Sequence, residues 1–427
     1  MNVYDSYRIK TLMVSYGYME TQNHMEADIL IFYTCNVREK AKQKLLSSIG
    51  MLRTKNTKVI AVGGCVAQAE KDSLFGKRGI NIVFGPQTYH NLPDYISDIL
   101  QGKESRIIDV DLSQGIKFKH FKKLEKASAS EFVSIQEGCD NFCSYCIVPY
   151  TRGREYSRPA ADILEDIKHL VRLGTKEITL LGQNVNSYHG EAPYITIGAS
   201  KETWRLERLI QEILEINGIK RLRYVSPHPK DFTEDLMKLH AASNILVPFA
   251  HIPAQSGNNR ILKLMNRGHT REQYLEKLEK FRSICPCIQF SSDFIVGFPS
   301  ETEEEFYDTV DLVEKAKYTI SFSFKYSPRK GTLASTMDDQ VPEQEKTKRL
   351  HTLQKALLKS QKEFNKSLVG KTMEVLFERP GKLQNQYIGK NIYLQSVIVE
   401  SKNNLIGTFK NVKVSAAYDN CVIGDIV

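Results

Sequence analysis

Six times between Glu131 and Tyr326 a short strand-like run is followed by a stretch of helical character, and this repetition restricts the fold more than any other feature of the chain. The runs are Phe132 to Gln136, Glu177 to Leu181, Arg221 to Val225, Val247 to His251, Gln289 to Val296 and Ser321 to Tyr326. Helices such as Ala161 to Leu173 and Arg271 to Ser283 lie between them. Strands joined by helices pair in parallel, and a series of such units curls into a barrel whose functional residues sit at the carboxyl ends of the strands. Six units predict a partial (β/α)6 barrel over residues 131–363, open on one side, with a trailing amphipathic helix from Pro342 to Phe364 that carries Leu350, Leu353, Leu357 and Phe364 on one stripe.

Residues 1–110 predict a separate parallel α/β domain. Ile29 to Tyr33 and Val59 to Val62 are apolar without alternation, as buried parallel strands are. Each runs into a cysteine, Thr34-Cys35 after the first and Gly63-Gly64-Cys65 after the second. Ligands collect beyond the carboxyl ends of parallel strands, so these thiols are expected to converge. The domain opens with a helical stretch, Tyr4 to Gly17, offering Tyr7, Leu12 and Tyr16 to one face, where a strand would be usual. A linker at 111–130 contains the lysine-rich Lys117 to Lys123, which reads either as solvated chain or as a phosphate-contacting strip. Residues 364–427 change to short β-rich runs, Thr372 to Phe377, Asn391 to Val399 and Val412 to Ala416, and predict a small β-barrel.

The fold class is therefore α/β with a β-barrel appended. In the 427 residues, 59 Lys+Arg against 50 Asp+Glu give a net charge of +9, which favours an anionic partner such as RNA. From Phe364 onward eight Lys+Arg face five Asp+Glu. No run has the length of a membrane span and the first residues lack a secretory pattern, so a cytoplasmic protein with no membrane partner is expected.

The chemistry concentrates in Gly138-Cys139-Asp140-Asn141-Phe142-Cys143-Ser144-Tyr145-Cys146. Three thiols at C-x3-C-x2-C on one loop can hold three irons of a cubane and leave the fourth open to a small molecule. A zinc knuckle completed by His169 or His189 is the alternative.

That loop resembles the cluster motif of the radical SAM enzymes. The surroundings of Cys35, Tyr33-Thr34-Cys35-Asn36-Val37-Arg38-Glu39, and of Cys65, Gly63-Gly64-Cys65-Val66-Ala67-Gln68, resemble the methylthiotransferase subgroup. So do His251-Ile252-Pro253-Ala254-Gln255-Ser256-Gly257, Leu264-Met265-Asn266-Arg267-Gly268-His269-Thr270, Asp293 to Pro299 and Tyr326 to Thr332, and the carboxyl-terminal domain is similar to the TRAM RNA-binding module. The Ser-Gly after Gln255 fits the tRNA-acting branch rather than the one acting on a ribosomal protein. The resemblance implies methylthiolation of C2 of N6-isopentenyladenosine near the tRNA anticodon. It implies two [4Fe-4S] clusters, one on Cys139, Cys143 and Cys146 with S-adenosylmethionine at its open iron, the other a sulfur donor involving Cys35 and Cys65. Gln183, Asn184, Asp293 and Gly297 are the expected cofactor-binding residues. The implied partners are tRNA and an electron donor such as flavodoxin or ferredoxin, with the chain a monomer. Rival readings are the same chemistry on threonylcarbamoyl-adenosine, or an RNA-binding remnant without turnover.

In the family the first ligand of the second cluster stands in a Gly-Cys-Gln directly before Met-Asn-x-x-Asp-Ser. This chain opens with Met1-Asn2-Val3-Tyr4-Asp5-Ser6, so that ligand and its strand are expected upstream of Met1, the rival expectation being a truncated product with a labile second cluster. Among weaker signals, Ser300 with Glu303 reads as a capping box. His228 reads as a turn residue or a substrate contact, Cys285 and Cys287 as structural thiols at the far end of the barrel, and Cys421 as a core residue.

Overall fold

The computed structural model describes residues 1–35, 40–54, 56–75, 79–193 and 202–427, with the backbone alone at 40–42. The amino-terminal sheet has four parallel strands in sequential order, Ile29–Thr34, Val59–Gly64, Ile82–Phe84 and Ile107–Asp109. Both apolar runs expected as strands are there, paired so that Thr34 lies opposite Gly64. Close packing fixes the two glycines: a side chain on Gly63 would enter the Phe84 ring, and one on Gly64, at φ +89°, would meet Thr34 O at 2.6 Å. The opening helix spans Asn2–Ser15, but its buried side is Tyr4, Asp5, Arg8, Ile9, Leu12 and Met13, whereas Tyr16 is exposed. The apolar pattern misplaced that face because two of its inward residues are charged.

All six barrel strands form. Ser130–Ser134, Glu177–Leu181 and Arg221–Tyr224 make one parallel group, and Phe249–His251, Gln289–Val296 and Ile320–Lys325 the other. The groups join where Leu222 N donates to Ile245 O and Val247 N to Leu222 O. Helices, among them Ala160–Arg172 and Arg271–Ile284, cover the outside and bury a continuous aliphatic and aromatic core. Helix Glu343–Ser367 lies along the last strand and against helix Glu303–Ala316. The capping box starting the latter is formed by Thr302 and Glu305, not Ser300 and Glu303. Ser300 instead sits at φ +64° in the preceding turn, where its hydroxyl accepts from Arg260.

The carboxyl-terminal unit is a closed five-stranded barrel of Thr372–Pro380, Gln386–Lys390, Ser396–Glu400, Phe409–Ala417 and Cys421–Ile426. The run expected as one strand from Asn391 to Val399 is broken, because the buried Asn391 accepts from Tyr393 N and Gln395 N and turns the chain. The polar strand Gln386–Lys390 escaped the apolar pattern, and Cys421 is only partly buried. Among the described residues no helix is long and apolar enough to cross a membrane.

Two buried charge clusters fix the units to one another. Lys117 is fully buried rather than solvated or phosphate-facing: its Nζ lies 2.5 Å from Glu137, 3.8 Å from Asp5 and 3.1 Å from Pro86 O. Arg152 donates to Asp5 at 2.6 Å, Glu137 at 2.8 Å and Asn2 at 3.1 Å. Two cations and two carboxylates thus neutralise one another between the amino-terminal sheet and the root of the cysteine loop. At the opposite end of the barrel, Arg221 and Arg223 share one oxygen of Glu177 and donate to backbone carbonyls of Lys390, Asn391 and Ile392 in the carboxyl-terminal barrel.

Candidate active site

The cysteine loop leaves the barrel through the short strand Gln136–Glu137 and ends in helix Val148–Arg152, which Pro149 starts. Gly138 adopts φ +73°, and a Cβ there would stand 1.8 Å from Arg154 O, so only glycine fits. Gly138 N donates to Gln183 Oε1 at 2.7 Å, while Gln136 Oε1 accepts from Gln183 N and Asn184 N. From the other side the 264–267 run grips the loop. Ser144 donates to Leu264 O and Met265 O, and Asn266 donates to Asn141 O and Phe142 O. The buried Arg267 reaches Cys143 Sγ at 3.6 Å and Pro253 O at 2.6 Å.

Burial pushes the Cys139 thiol up and the Cys146 thiol up to about 12. Thiolates in this site therefore need positive charge beside them, which Arg267 gives to Cys143 and bound iron would give to all three. Among the described residues no three His, Cys, Asp or Glu side chains gather as a single-ion site. A cubane, by contrast, spreads three thiolates over three irons. The histidines a zinc knuckle would need are engaged otherwise: His169 with Leu124 O, and His189 with Glu155 and Ser187 O. Three thiols on a loop braced at both flanks, with a guanidinium at the central one, fit an iron-sulfur cluster.

A cavity of about 170 Å³ opens beside Cys146, with Tyr145, Gln255, Asp293, Ile295 and Tyr326 among its walls. Of the four residues expected to bind cofactor, Asp293 alone lines it. Its Oδ2 is 3.4 Å from His251 Nε2, and its Oδ1 is buried with no hydrogen-bond partner among the described residues. Gln183 braces the cluster loop from behind, and Asn184 joins Asp231 Oδ2 to His228 N. Gly297 turns the chain at φ +68° where a side chain would strike Lys346. His228 caps a short turn by accepting from Lys230 N. Arg267 and Gln255 belong to the site although no local signal in the sequence marks them, Gln255 lying just past the carboxyl end of strand Phe249–His251.

Cys35 and Cys65 follow the paired residues Thr34 and Gly64, side by side at one end of the amino-terminal sheet. Helix Cys65–Glu70 packs on helix Val148–Arg152, so both sets of cysteines flank the same five-residue helix. The Asn36 to Glu39 part of the Cys35 motif lies outside the described residues. Cys285 and Cys287, with sulfurs 3.6 Å apart, precede strand Gln289–Val296 and so lie at the other end of the barrel from the loop.

Comparison with known proteins places these features. Family models described as the radical SAM superfamily, uncharacterized protein family UPF0004 and the TRAM domain match residues 133–313, 1–85 and 366–427. Proteins named tRNA-2-methylthio-N(6)-dimethylallyladenosine synthase from Rickettsia felis and Agrobacterium fabrum are 45% and 44% identical to the whole chain, which covers 97% and 95% of their lengths. Among solved structures, the radical S-adenosylmethionine methyltransferase TsrM from Kitasatospora setae shares the fold, with a TM-score of 0.55 and 15% identity, covering 77% of this chain and 66% of that one.

Proposed function

This chain belongs to the tRNA-2-methylthio-N(6)-dimethylallyladenosine synthase family of radical SAM enzymes, and on that premise we propose how its residues divide the work. The chain is a tRNA methylthiotransferase that acts on the prenylated adenine its relatives' names specify. Cys139, Cys143 and Cys146 would hold the [4Fe-4S] cluster, and the cavity beside Cys146 would take S-adenosylmethionine. When bound, the pair supplies a 5′-deoxyadenosyl radical that takes hydrogen from C2 of the base.

The surrounding residues hold and shield. Gln183 and the 264–267 run keep the loop in one conformation. Arg267 places positive charge at Cys143 Sγ, which favours the reduced cluster. Asp293 and Gln255 offer polar atoms to the cofactor on the cavity wall, while Tyr145, Ile295 and Tyr326 keep water out. Cys35 and Cys65 contribute ligands to a second, sulfur-donating cluster. Helix Cys65–Glu70 packs on helix Val148–Arg152, so a sulfur-donating group held at these cysteines would sit close to the cysteine loop. The basic carboxyl-terminal barrel binds tRNA, and a separate protein delivers the electron.

The carrying observation is that a cluster cysteine and Asp293 wall one cavity at the carboxyl end of the barrel. The test is anaerobic reconstitution followed by iron analysis and nucleoside mass spectrometry of prenylated tRNA. Methylthio product is expected, with about four irons per chain from the radical cluster alone and about eight if the second forms. No 5′-deoxyadenosine and no methylthio product would refute the assignment.

A further inference from the structure

Cys285 and Cys287, expected from the sequence as structural thiols, divide in the structure: Cys285 is 1% exposed at the end of helix Arg271–Ile284, whereas Cys287 is exposed. They occupy the first and third places of a turn that closes where Ile288 N donates to Cys285 O at 2.9 Å. Pro286 at the second place fixes the backbone between them, and the two sulfurs stand 3.6 Å apart. The same turn meets the carboxyl-terminal barrel. Tyr393 OH donates to Cys287 O at 3.4 Å, with its ring edge-on to Phe364. The 391–395 loop is therefore held on the larger barrel from two sides, by Tyr393 at the cysteine turn and by Arg223 at Asn391 O and Ile392 O. That loop also carries Leu394, which walls a cavity of about 360 Å³ inside the larger barrel.

We propose that Cys285 and Cys287 form a thiol–disulfide exchange site at the foot of the barrel, and that closing the disulfide loosens the loop Tyr393 anchors. The oxidant is a low-molecular-weight disulfide. Cys287, the accessible thiol, loses its proton and attacks one sulfur of that disulfide; the disulfide bond breaks, a thiolate leaves and takes up a proton, and a mixed disulfide remains on Cys287. Burial pushes the Cys285 thiol up, so it does not open the exchange, but it stands beside Cys287 for the second step. There Cys285 gives up its proton, its sulfur bonds to Cys287 Sγ, and the second thiol of the reagent leaves protonated. Two protein thiols are thus oxidised by two electrons, and one disulfide is reduced to two thiols. A disulfide bond is about 2.05 Å long, so the sulfurs must close from 3.6 Å. Cys285 is fixed, because its N donates to Phe281 O at 2.8 Å and its side chain lies in the barrel core. The movement falls on Cys287, whose carbonyl is the acceptor for Tyr393. A ring closed over one intervening residue is strained, so thiols in excess reopen it and the site is reversible. The loop of Cys139, Cys143 and Cys146 lies at the opposite end of the barrel, apart from the exchange.

The test places full-length, cluster-reconstituted enzyme in anaerobic buffers of stepped oxidised to reduced glutathione ratio, traps free thiols with iodoacetamide and digests with trypsin. Cleavage after Arg282 and Lys315 leaves Cys285 and Cys287 as the only cysteines of one peptide. As the ratio rises, an unalkylated form two hydrogens lighter than the reduced peptide is expected to replace the doubly alkylated one, and dithiothreitol is expected to reverse the change. Amide hydrogen exchange across 391–395 is expected to quicken in step by at least about threefold. Cys285→Ser is expected to stop at the mixed disulfide between glutathione and Cys287. Cys287→Ser, a change at an exposed position, is expected to form neither product and to keep exchange at 391–395 flat. A doubly alkylated peptide throughout, a disulfide that leaves that exchange unaltered, or a rise in exchange in Cys287→Ser would overturn the inference. None of these readouts depends on methylthio product, so the exchange site and the enzyme assignment fail separately.

Discussion

The guanidinium of Arg267 divides its hydrogen bonds between Cys143 Sγ, at 3.6 Å, and Pro253 O, at 2.6 Å, tying the middle cysteine of the loop to the fourth barrel strand's exit. A positive charge beside a cluster sulfur stabilises the reduced state. Arg267→Gln is therefore expected to lower the cluster's midpoint potential and slow reductive cleavage of S-adenosylmethionine, with iron content retained. A redox titration followed by electron paramagnetic resonance checks this, and an unmoved potential would mean the arginine only packs.

Gly138 leaves no room for any side chain. Gly138→Ala sets a methyl group 1.8 Å from Arg154 O on a backbone at φ +73°, so the loop must shift. The positive φ alone costs an alanine about 1–2 kcal/mol. Loss of most cluster iron from protein that still shows native helix content by circular dichroism is the expected result.

Asp5, Glu137, Lys117 and Arg152 are all nearly inaccessible to solvent. Removing Arg152 leaves two buried carboxylates sharing the single cation of Lys117, so Arg152→Met is expected to cost about 3–5 kcal/mol in denaturant unfolding. Lys123→Met removes an exposed pair with Glu165 and is expected to leave the unfolding midpoint almost unchanged. Equal effects would contradict the burial.

His240 is enclosed between Tyr224 OH and Val247 O, and burial depresses its pKa from 6.5 to about 4. Between those values the unfolded chain is protonated at this site and the folded one is not, so stability rises with pH across that interval. Its contribution is full above pH 6.5 and is lost as pH falls toward 4, amounting to about 3 kcal/mol. Denaturant melts of wild type and His240→Gln from pH 7.5 to 4.5 test the sign: the variant is expected to lose part of the slope.

The barrel was legible because short strand-like runs alternate with helical stretches six times, and the cysteine loop because three thiols fall within eight residues. Arg267 was not, since 124 positions separate it from the sulfur it touches and nothing local marks it as buried. Lys117 was misread for the opposite reason. Its lysine-rich neighbours suggest solvent, whereas its partners Asp5 and Glu137 come from elsewhere in the chain. The capping box was misplaced by two residues because Ser300 and Thr302 each have a glutamate three residues on, and only the turn at Ser300 decides between them.

Leu394, on the loop that Arg223 holds through Asn391 O and Ile392 O, makes the carboxyl-terminal barrel a wall of the cavity inside the larger barrel. Deleting that small barrel would open the cavity at its floor, so a reactive species formed above it would lose a wall against solvent. Exchanging it for another RNA-binding module would fail for the same reason, unless the newcomer supplied its own plug.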